Sequence, residues 1–308
     1  MHIKTVIILN PNAGAGRAIH EWRGIEPKIS FLKPYELFQT KQKGDGIALA
    51  QKALKQGAQR MIVAGGDGSL NEVVNGFFEN EKPISEDARL GILPLGSGCD
   101  FAKTLGIFSI EDALQKLKTN QVKLSDVGHV QFKNKEGQDV GRFFINISSF
   151  GCSAKAAHAV NASKKRLGSK LTYLWISLKT FLTYKNPKVM LSPQGEASQC
   201  LTMNSVFVCN GKYAGAGMQW GPKAKIDDGL LDVTLVKDLP CFTGLLNFHK
   251  IYLGKTYELS DVEHLRCDLL RAKSFTPVML EVDGEDVGTL PATFTILKHA
   301  IQVIGLDD

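Results

Sequence analysis

The sequence predicts an α/β domain built on a parallel sheet, followed by a second, mostly β domain. Three observations carry this expectation. Through roughly the first 120 residues, short apolar strand-like runs alternate with helical patterns, which is the order that builds a parallel sheet with helices on its faces. Three glycine-rich loops follow three successive strands in that part. Beyond about Lys123 the texture changes to short strands separated by turn residues.

Taken in order, "KTVIILN" reads as a first strand leading into the loop "PNAGAGRA". "GIALAQKALKQG" (Gly46 to Gly57) has helical spacing and ends in glycine. "RMIVAG" is a strand, "LNEVVNGFF" a helix, "LGILPLG" a strand and "CDFAKTLG" a short helix closed by glycine. "IEDALQKLKTN" is a further amphipathic helix. The second part offers the strands "FFINISSFG", "NSVFVCNG", "LLDVTLV", "PVMLEVDGE" and "ATFTILKHAIQVI", interrupted by one helical insertion, roughly Lys164 to Tyr184. The expected domains are residues 1–125 and 126–295, with about 296–308 as a segment that can return to the first.

Composition is that of an ordinary globular chain: 308 residues, 44% apolar and 22% charged. No apolar run approaches the ~20 residues that span a bilayer. The N-terminal run continues into a glycine loop and reads as a core strand, not a signal peptide. Six scattered cysteines without a C-x-x-C pair argue against a disulfide framework or zinc site and for a cytoplasmic setting. The net charge of +6 is uneven, because no acidic residue lies between Val140 and Gly195 while nine Lys and Arg do. Such a surface suits an anionic membrane or is simply a solvated face. No nucleic-acid motif accompanies it, so nucleic acid is not an expected partner.

The loops Asn10–Gly16, Gly65–Ser69 and Pro94–Gly98 should emerge on one sheet edge, where such folds bind ligands. They are not P-loops, since no Lys-Ser/Thr follows the second glycine, and "GAGRAI" has Ile19 in place of the third Rossmann glycine. Ser69 and Glu72 match a capping box, S-x-x-E. Asp67 is unexpected at a helix start that would otherwise attract phosphate. It calls either for a metal partner or for a turn-forming Asx role.

"GGDGSLNEVVNG" resembles the GGDGT signature of the diacylglycerol kinase catalytic-domain family, which includes sphingosine kinases and bacterial lipid kinases. "NPNAGAGRA", "LPLGSGCDFAKTLG", "SDVG", "CNGKYAGAGMQWGPKAKIDDGLLDV" and "EVDGE" resemble its other motifs, in the same order. The resemblance implies an N-terminal domain of the NAD-kinase and phosphofructokinase type, a C-terminal β-sandwich and an active site in the cleft between them. It implies phosphorylation of a lipid hydroxyl, diacylglycerol or a related glycerolipid, with ATP as co-substrate and Mg²⁺. Carried over position by position, Asn10, Thr40, Gly66, Asp67, Gly68, Ser69, Leu70, Asn71, Glu72 and Ser97 match nucleotide-contacting positions, with Asp67 also acting on metal and water. Asp283 or Glu285, with Glu285 preferred, matches the base for the lipid hydroxyl; the same residues could simply form an Asp-Gly hairpin turn. Asp228 with the carbonyls of Lys225 and Leu230 matches a structural Mg²⁺ site, and Asp100 and Asp126 match an acidic network around the metal. The chain departs from the pattern at Ala13, Ser69, Ser97 and Cys99, the last replacing an amide-bearing Asn.

In the insertion, Leu171, Leu174, Trp175, Leu178, Phe181 and Leu182 recur at helical spacing behind Lys164, Lys165 and Arg166. This suits either peripheral contact with an anionic membrane or packing on the β domain. Two other readings stand beside the lipid kinase: a soluble-substrate kinase of the NAD kinase type, and a non-catalytic nucleotide- or lipid-binding regulator. A homodimer is left open.

Overall fold

The computed structural model describes residues 3–134, 136–162, 169–238 and 241–305. The chain forms two compact units, Met1–Val127 with Lys298–Asp308, and Gly128–Leu297.

In the first unit the strands are β1 (Thr5–Leu9), β2 (Tyr35–Gln39), β3 (Arg60–Gly65) and β4 (Arg89–Pro94). The helices are α1 (Ala18–Ile25), α2 (Asp45–Lys55), α3 (Asp67–Gly76), α4 (Asp100–Thr104) and α5 (Ile110–Thr119). These four strands pair in parallel, in the order β4-β3-β1-β2, and a short antiparallel pairing of Phe78–Glu79 with Lys82–Pro83 stands apart from them. Near the chain's end Gln302 and Val303 add a further parallel strand against Arg89 and Leu90 of β4. β1 and β3 are buried along their whole length, as strands covered on both faces must be.

Sequence explains the helices locally. α5 opens on a capping box in which Ser109 Oγ accepts from the Asp112 amide at 3.0 Å and Asp112 Oδ2 accepts from the Ser109 amide at 2.8 Å. α2 and α3 cross at glycines: a Cβ on Gly76 would lie 2.6 Å from Ala50 Cβ, and one on Gly46 2.8 Å from Glu72 Cβ. That close approach lets Glu72 reach the start of α2, accepting from the Gly44 amide at 2.7 Å and the Gly46 amide at 3.0 Å. The expected capping box at Ser69 and Glu72 is therefore absent. α3 starts three residues earlier with Gly66 as its N-cap and no side-chain cap, and Glu72 satisfies the orphan amides of a different helix.

A long strand, β5 (Val122–Lys133), leads into the second unit. There follow β6 (Asp139–Phe144), β7 (Ile147–Gly151), α6 (Cys152–Ala162), α7 (Ser169–Thr183), β8 (Lys188–Pro193), β9 (Gln199–Cys209), β10 (Leu231–Lys237) and α8 (Cys241–Tyr252). The unit continues with β11 (Val262–Cys267), β12 (Leu269–Ser274), β13 (Met279–Val282) and β14 (Glu285–Ile304). Antiparallel pairings run β9-β8-β12-β14-β13-β7 and back to β9, closing the β-sandwich on itself. Its core is apolar, with Phe144, Phe150, Val206, Leu280 and Phe294 each at most 1% exposed. The sequence anticipated one helical insertion here, whereas the second unit carries α6 and α8 besides α7. Lys164, Lys165 and Arg166 fall outside the described residues, as do the side chains of Leu171 and Leu174.

Candidate active site

In the first unit the three glycine loops emerge from the carboxyl ends of β1, β3 and β4 and pack backbone on backbone. A Cβ on Gly96 would lie 2.3 Å from Gly66 Cα, and one on Gly14 would lie 2.9 Å from the Leu95 carbonyl oxygen. Asn10 ties the first loop to the second, its Nδ2 donating to Ser69 Oγ at 2.8 Å, while its Oδ1 accepts from the Asn12 amide at 3.0 Å. The Asn10 and Thr40 amides donate to Ala64 and Leu9 carbonyls, each at 2.9–3.0 Å, so the loops after β1, β2 and β3 hold one another in register.

Asp67 is the first residue of α3. Its Oδ1 accepts from the amides of Asp100 at 2.8 Å and Phe101 at 3.3 Å. The carboxylate thus satisfies the opening amides of α4, an anion at a helix start contributed by the first residue of a neighbouring helix. Its other oxygen turns to Gly98: a methyl group there would lie 2.9 Å from Asp67 Oδ2 and 3.7 Å from Asp100 Oδ2. Two hard carboxylate oxygens therefore converge on a space kept open by the missing side chain. That is the donor chemistry for Mg²⁺, which is held by one or two carboxylates together with substrate phosphates. Asp100 also receives Lys103 Nζ at 2.5 Å, and buried Asp126 accepts from the His299 amide at 2.7 Å.

Cys99 sits between these acids in the left-handed region, φ 50°, where Asn is better tolerated than Cys. Burial, and next the Asp67 carboxylate, push its thiol up to about 12, so it stays protonated and its Sγ faces the Gly65 carbonyl. Leu70 and Asn71 are buried, 3% and 0% exposed, so their side chains belong to the core. Glu72 is engaged on α2, as described above, and Ser97 is exposed in its loop.

In the second unit Asp283 and Gly284 make the turn between β13 and β14, both at positive φ. Asp283 accepts three backbone amides, those of Ile145, Asn146 and Ile147, at 3.0–3.1 Å. Its oxygens anchor the β6–β7 connection, while Glu285 is only partly buried. The sequence reading missed Glu281, two residues before Asp283. Burial, with Asp283 and Glu285 adding to it, pushes its carboxyl up to about 8, against hydrogen bonds from Ser149 and the Gly284 amide. The Gly284 contact is 2.6 Å. An acid within an otherwise apolar strand, "VMLEV", was the available signal.

Asp228 was matched to a structural Mg²⁺ site with the carbonyls of Lys225 and Leu230. Its Oδ1 accepts from the Leu230 amide at 3.1 Å and its Oδ2 is ion-paired with Arg266. Arg266 Nε also faces Asp232 at 3.4 Å. A guanidinium thus faces both carboxylates in this structure.

The same unit holds a cavity of about 570 Å³ beneath α6, α7 and α8. Leu178, Phe181, Met218, Phe248 and Ile251 line it, with the stacked pair Phe207 and Trp220, whose ring centroids are 3.8 Å apart. On α7, Trp175 and Leu182 are 63% and 55% exposed, and Leu253 just past α8 is 62% exposed. Among the described residues no helix is long and apolar enough to cross a membrane.

Glycine loops at the carboxyl ends of a parallel sheet, joined in one chain to an acid-bearing β-sandwich, define a kinase-type phosphotransferase. Residues 4–130 match the diacylglycerol kinase catalytic domain, and residues 146–305 match the YegS C-terminal NAD kinase beta sandwich-like domain. The chain belongs to this diacylglycerol kinase family, with the YegS-type second domain. It is 34% identical over 249 residues to a Chromohalobacter salexigens protein described as "Probable lipid kinase YegS-like", covering 79% of this chain and 74% of that one. It is 28% identical over 273 residues to the diacylglycerol kinase of Staphylococcus carnosus, covering 86% and 83%. A solved Bacillus anthracis str. Sterne structure, described as a "putative diacylglycerol kinase", superposes with a TM-score of 0.76 at 26% identity, over 99% of this chain and 97% of that one.

Proposed function

We propose that this protein transfers the γ-phosphoryl group of ATP to the hydroxyl of a glycerolipid such as diacylglycerol. The observation that carries the lipid assignment, as against a soluble acceptor, is the apolar cavity. At ~30 Å³ per methylene-sized group, the share one water takes in the liquid, about 570 Å³ houses one long acyl chain. The exposed Trp175, Leu182 and Leu253 beside it are the residue types that enter a bilayer interface, and they suit an enzyme drawing its substrate from an anionic membrane.

In this reading the loop residues Asn10, Thr40, Gly66–Ser69 and Ser97 surround the triphosphate. Ser69 and Gly68 offer their early α3 amides to it. Leu70, Asn71 and Glu72 support that helix from behind. Asp67 and Asp100 would hold Mg²⁺, which when bound offsets phosphate charge. Asp67 orients the α4 loop at the same time. In the second unit Asp283 fixes the turn, and Glu285 takes the proton from the acceptor hydroxyl as that oxygen attacks phosphorus.

The test is transfer of label from γ-labelled ATP, with Mg²⁺, to diacylglycerol, phosphatidylglycerol, a long-chain base and NAD in parallel. Labelled lipid with unlabelled NAD is expected. Label on NAD alone would replace this reading with a soluble-substrate kinase.

A further inference from the structure

α6 is an unusual helix to find between a substrate cavity and a candidate base. Its sequence, "CSAKAAHAVNA", buries only Cys152, Ala154 and Ala156. Such small side chains remove little apolar surface from water, so packing alone holds the helix weakly. Polar contacts at both of its ends add to that packing: the Ser153 amide donates to Ser205 Oγ of β9 at 3.1 Å, and further hydrogen bonds link the helix to the turn that carries Glu285.

At the C-terminal end, His158 Nδ1 lies 2.7 Å from Asp286 Oδ2, and Asn161 Nδ2 donates to the Gly284 carbonyl at 2.9 Å. The two side chains are three residues apart and share one helix face. They hold the residues immediately before and after Glu285. At the N-terminal end Ser153 Oγ accepts from Ser149 Oγ at 2.7 Å, and Ser149 bonds the buried Glu281. Glu281 in turn accepts from the Gly284 amide at 2.6 Å. The Gly284 residue is thus gripped on its N–H side through Glu281 and on its C=O side through Asn161. Meanwhile Cys152, Ser153 and Ala156 of the same helix line the apolar cavity.

We infer that His158 and Asn161 are positioning residues for Glu285, and that α6 transmits filling of the cavity to that carboxylate. This rests on the lipid kinase reading above. A chain that occupies the cavity presses on a helix with little packing of its own, and the helix settles the turn through these hydrogen bonds. Glu285 touches the acceptor hydroxyl, whereas His158 and Asn161 act only through the turn.

The experiment compares the full chain with His158→Ala, Asn161→Ala and the double variant, using dioctanoyl- and dioleoylglycerol in mixed micelles. Each single change is expected to lower kcat about tenfold with KM for ATP unchanged, since small misplacements of a reacting group are costly. The wild type should turn over the long-chain lipid faster than the short one, and the double variant should lose that difference. His158→Gln, whose amide can still donate to Asp286, should recover most of kcat, and it stands in if the alanine variant melts early. Wild-type kcat in both single variants, a change in KM alone, or a chain-length preference that survives in the double variant would overturn the inference. Hydrogen exchange of the 281–287 amides in lipid-free protein is read alongside. Faster exchange in the double variant supports the latch, and unchanged exchange counts against it even if no lipid is phosphorylated and the kinase reading itself fails.

Discussion

Substitution can separate the observed capping role of Asp67 from its proposed role at the metal. Asp67→Ala removes the acceptor for the Asp100 and Phe101 amides, bonded at 2.8 and 3.3 Å. Hydrogen bonds to a charged group contribute about 1.5–3 kcal/mol each. The second bond is long and Asp67 is partly hydrated, so about 2 kcal/mol is expected in total. For units of this size that lowers Tm by roughly 2–4 °C per kcal/mol. Asp67→Asn keeps an oxygen where Oδ1 stands but removes the charge, so its stability should fall by less than about 1 kcal/mol. Phosphoryl transfer should nevertheless drop by about two to three orders of magnitude in both, because the anion facing Gly98 is gone in both. The assays are thermal and urea unfolding beside label transfer from ATP. Full transfer by Asp67→Asn would refute the catalytic assignment, and an Asp67→Ala variant as stable as wild type would refute the capping argument.

Gly98→Ala places a methyl group 2.9 Å from Asp67 Oδ2; transfer should fall at least tenfold and the Mg²⁺ concentration for half-maximal rate should rise, with the melting temperature little changed. Glu281 has its carboxyl raised from the ordinary 4.5 to about 8, so the folded state holds a proton that the unfolded chain releases. Stability from this group is complete below about pH 4.5 and is lost as pH rises towards about 8, on the order of a few kcal/mol. Glu281→Gln should flatten that decline in unfolding experiments across the window, and an unchanged slope would show the buried acid is not its source. Arg266→Ala should lower the melting temperature of the nucleotide-free protein by leaving Asp228 and Asp232 to repel each other, and an unchanged value would show that the ion pair contributes nothing; a melting temperature that falls on chelating divalent ions would place a metal at Asp228. Replacing Trp175 and Leu182 together by Ser should weaken sedimentation with anionic vesicles several-fold, and equal binding would leave α7 out of any membrane contact.

Much of the first unit was legible because its signals are local. Strands β1, β3 and β4 are near-continuous apolar runs, and the glycine loops announce themselves. What failed were features set at long range. The S-x-x-E pattern at Ser69 and Glu72 is genuine as a string, but Glu72 finds its partners 26 and 28 residues back in the chain, where two glycines let α2 come close. Asp67 likewise acts 33 residues away on the Asp100 amide. In the second unit α6 has alanines where an amphipathic stripe would show, and α8 has a glycine and a threonine near its start. α6 therefore lacks the apolar rhythm that betrays a helix, whereas α8 carries it at Phe242, Leu245, Leu246, Phe248 and Ile251 and was missed. The D-G-E motif marked the turn, yet nothing in it told that Asp283 would accept three backbone amides of the β6–β7 connection.

The strand that Gln302 and Val303 lay against β4 has a bearing on how the protein is made. The nucleotide-side sheet borrows its last member from the far end of the chain, after the whole sandwich has been translated. While the ribosome is still at work, the edge of β4 is bare and its apolar face incomplete. A nascent chain stalled short of residue 304 would present that edge to chaperones or to its neighbours, so trimming even the last few strand residues should cost soluble yield before it touches chemistry.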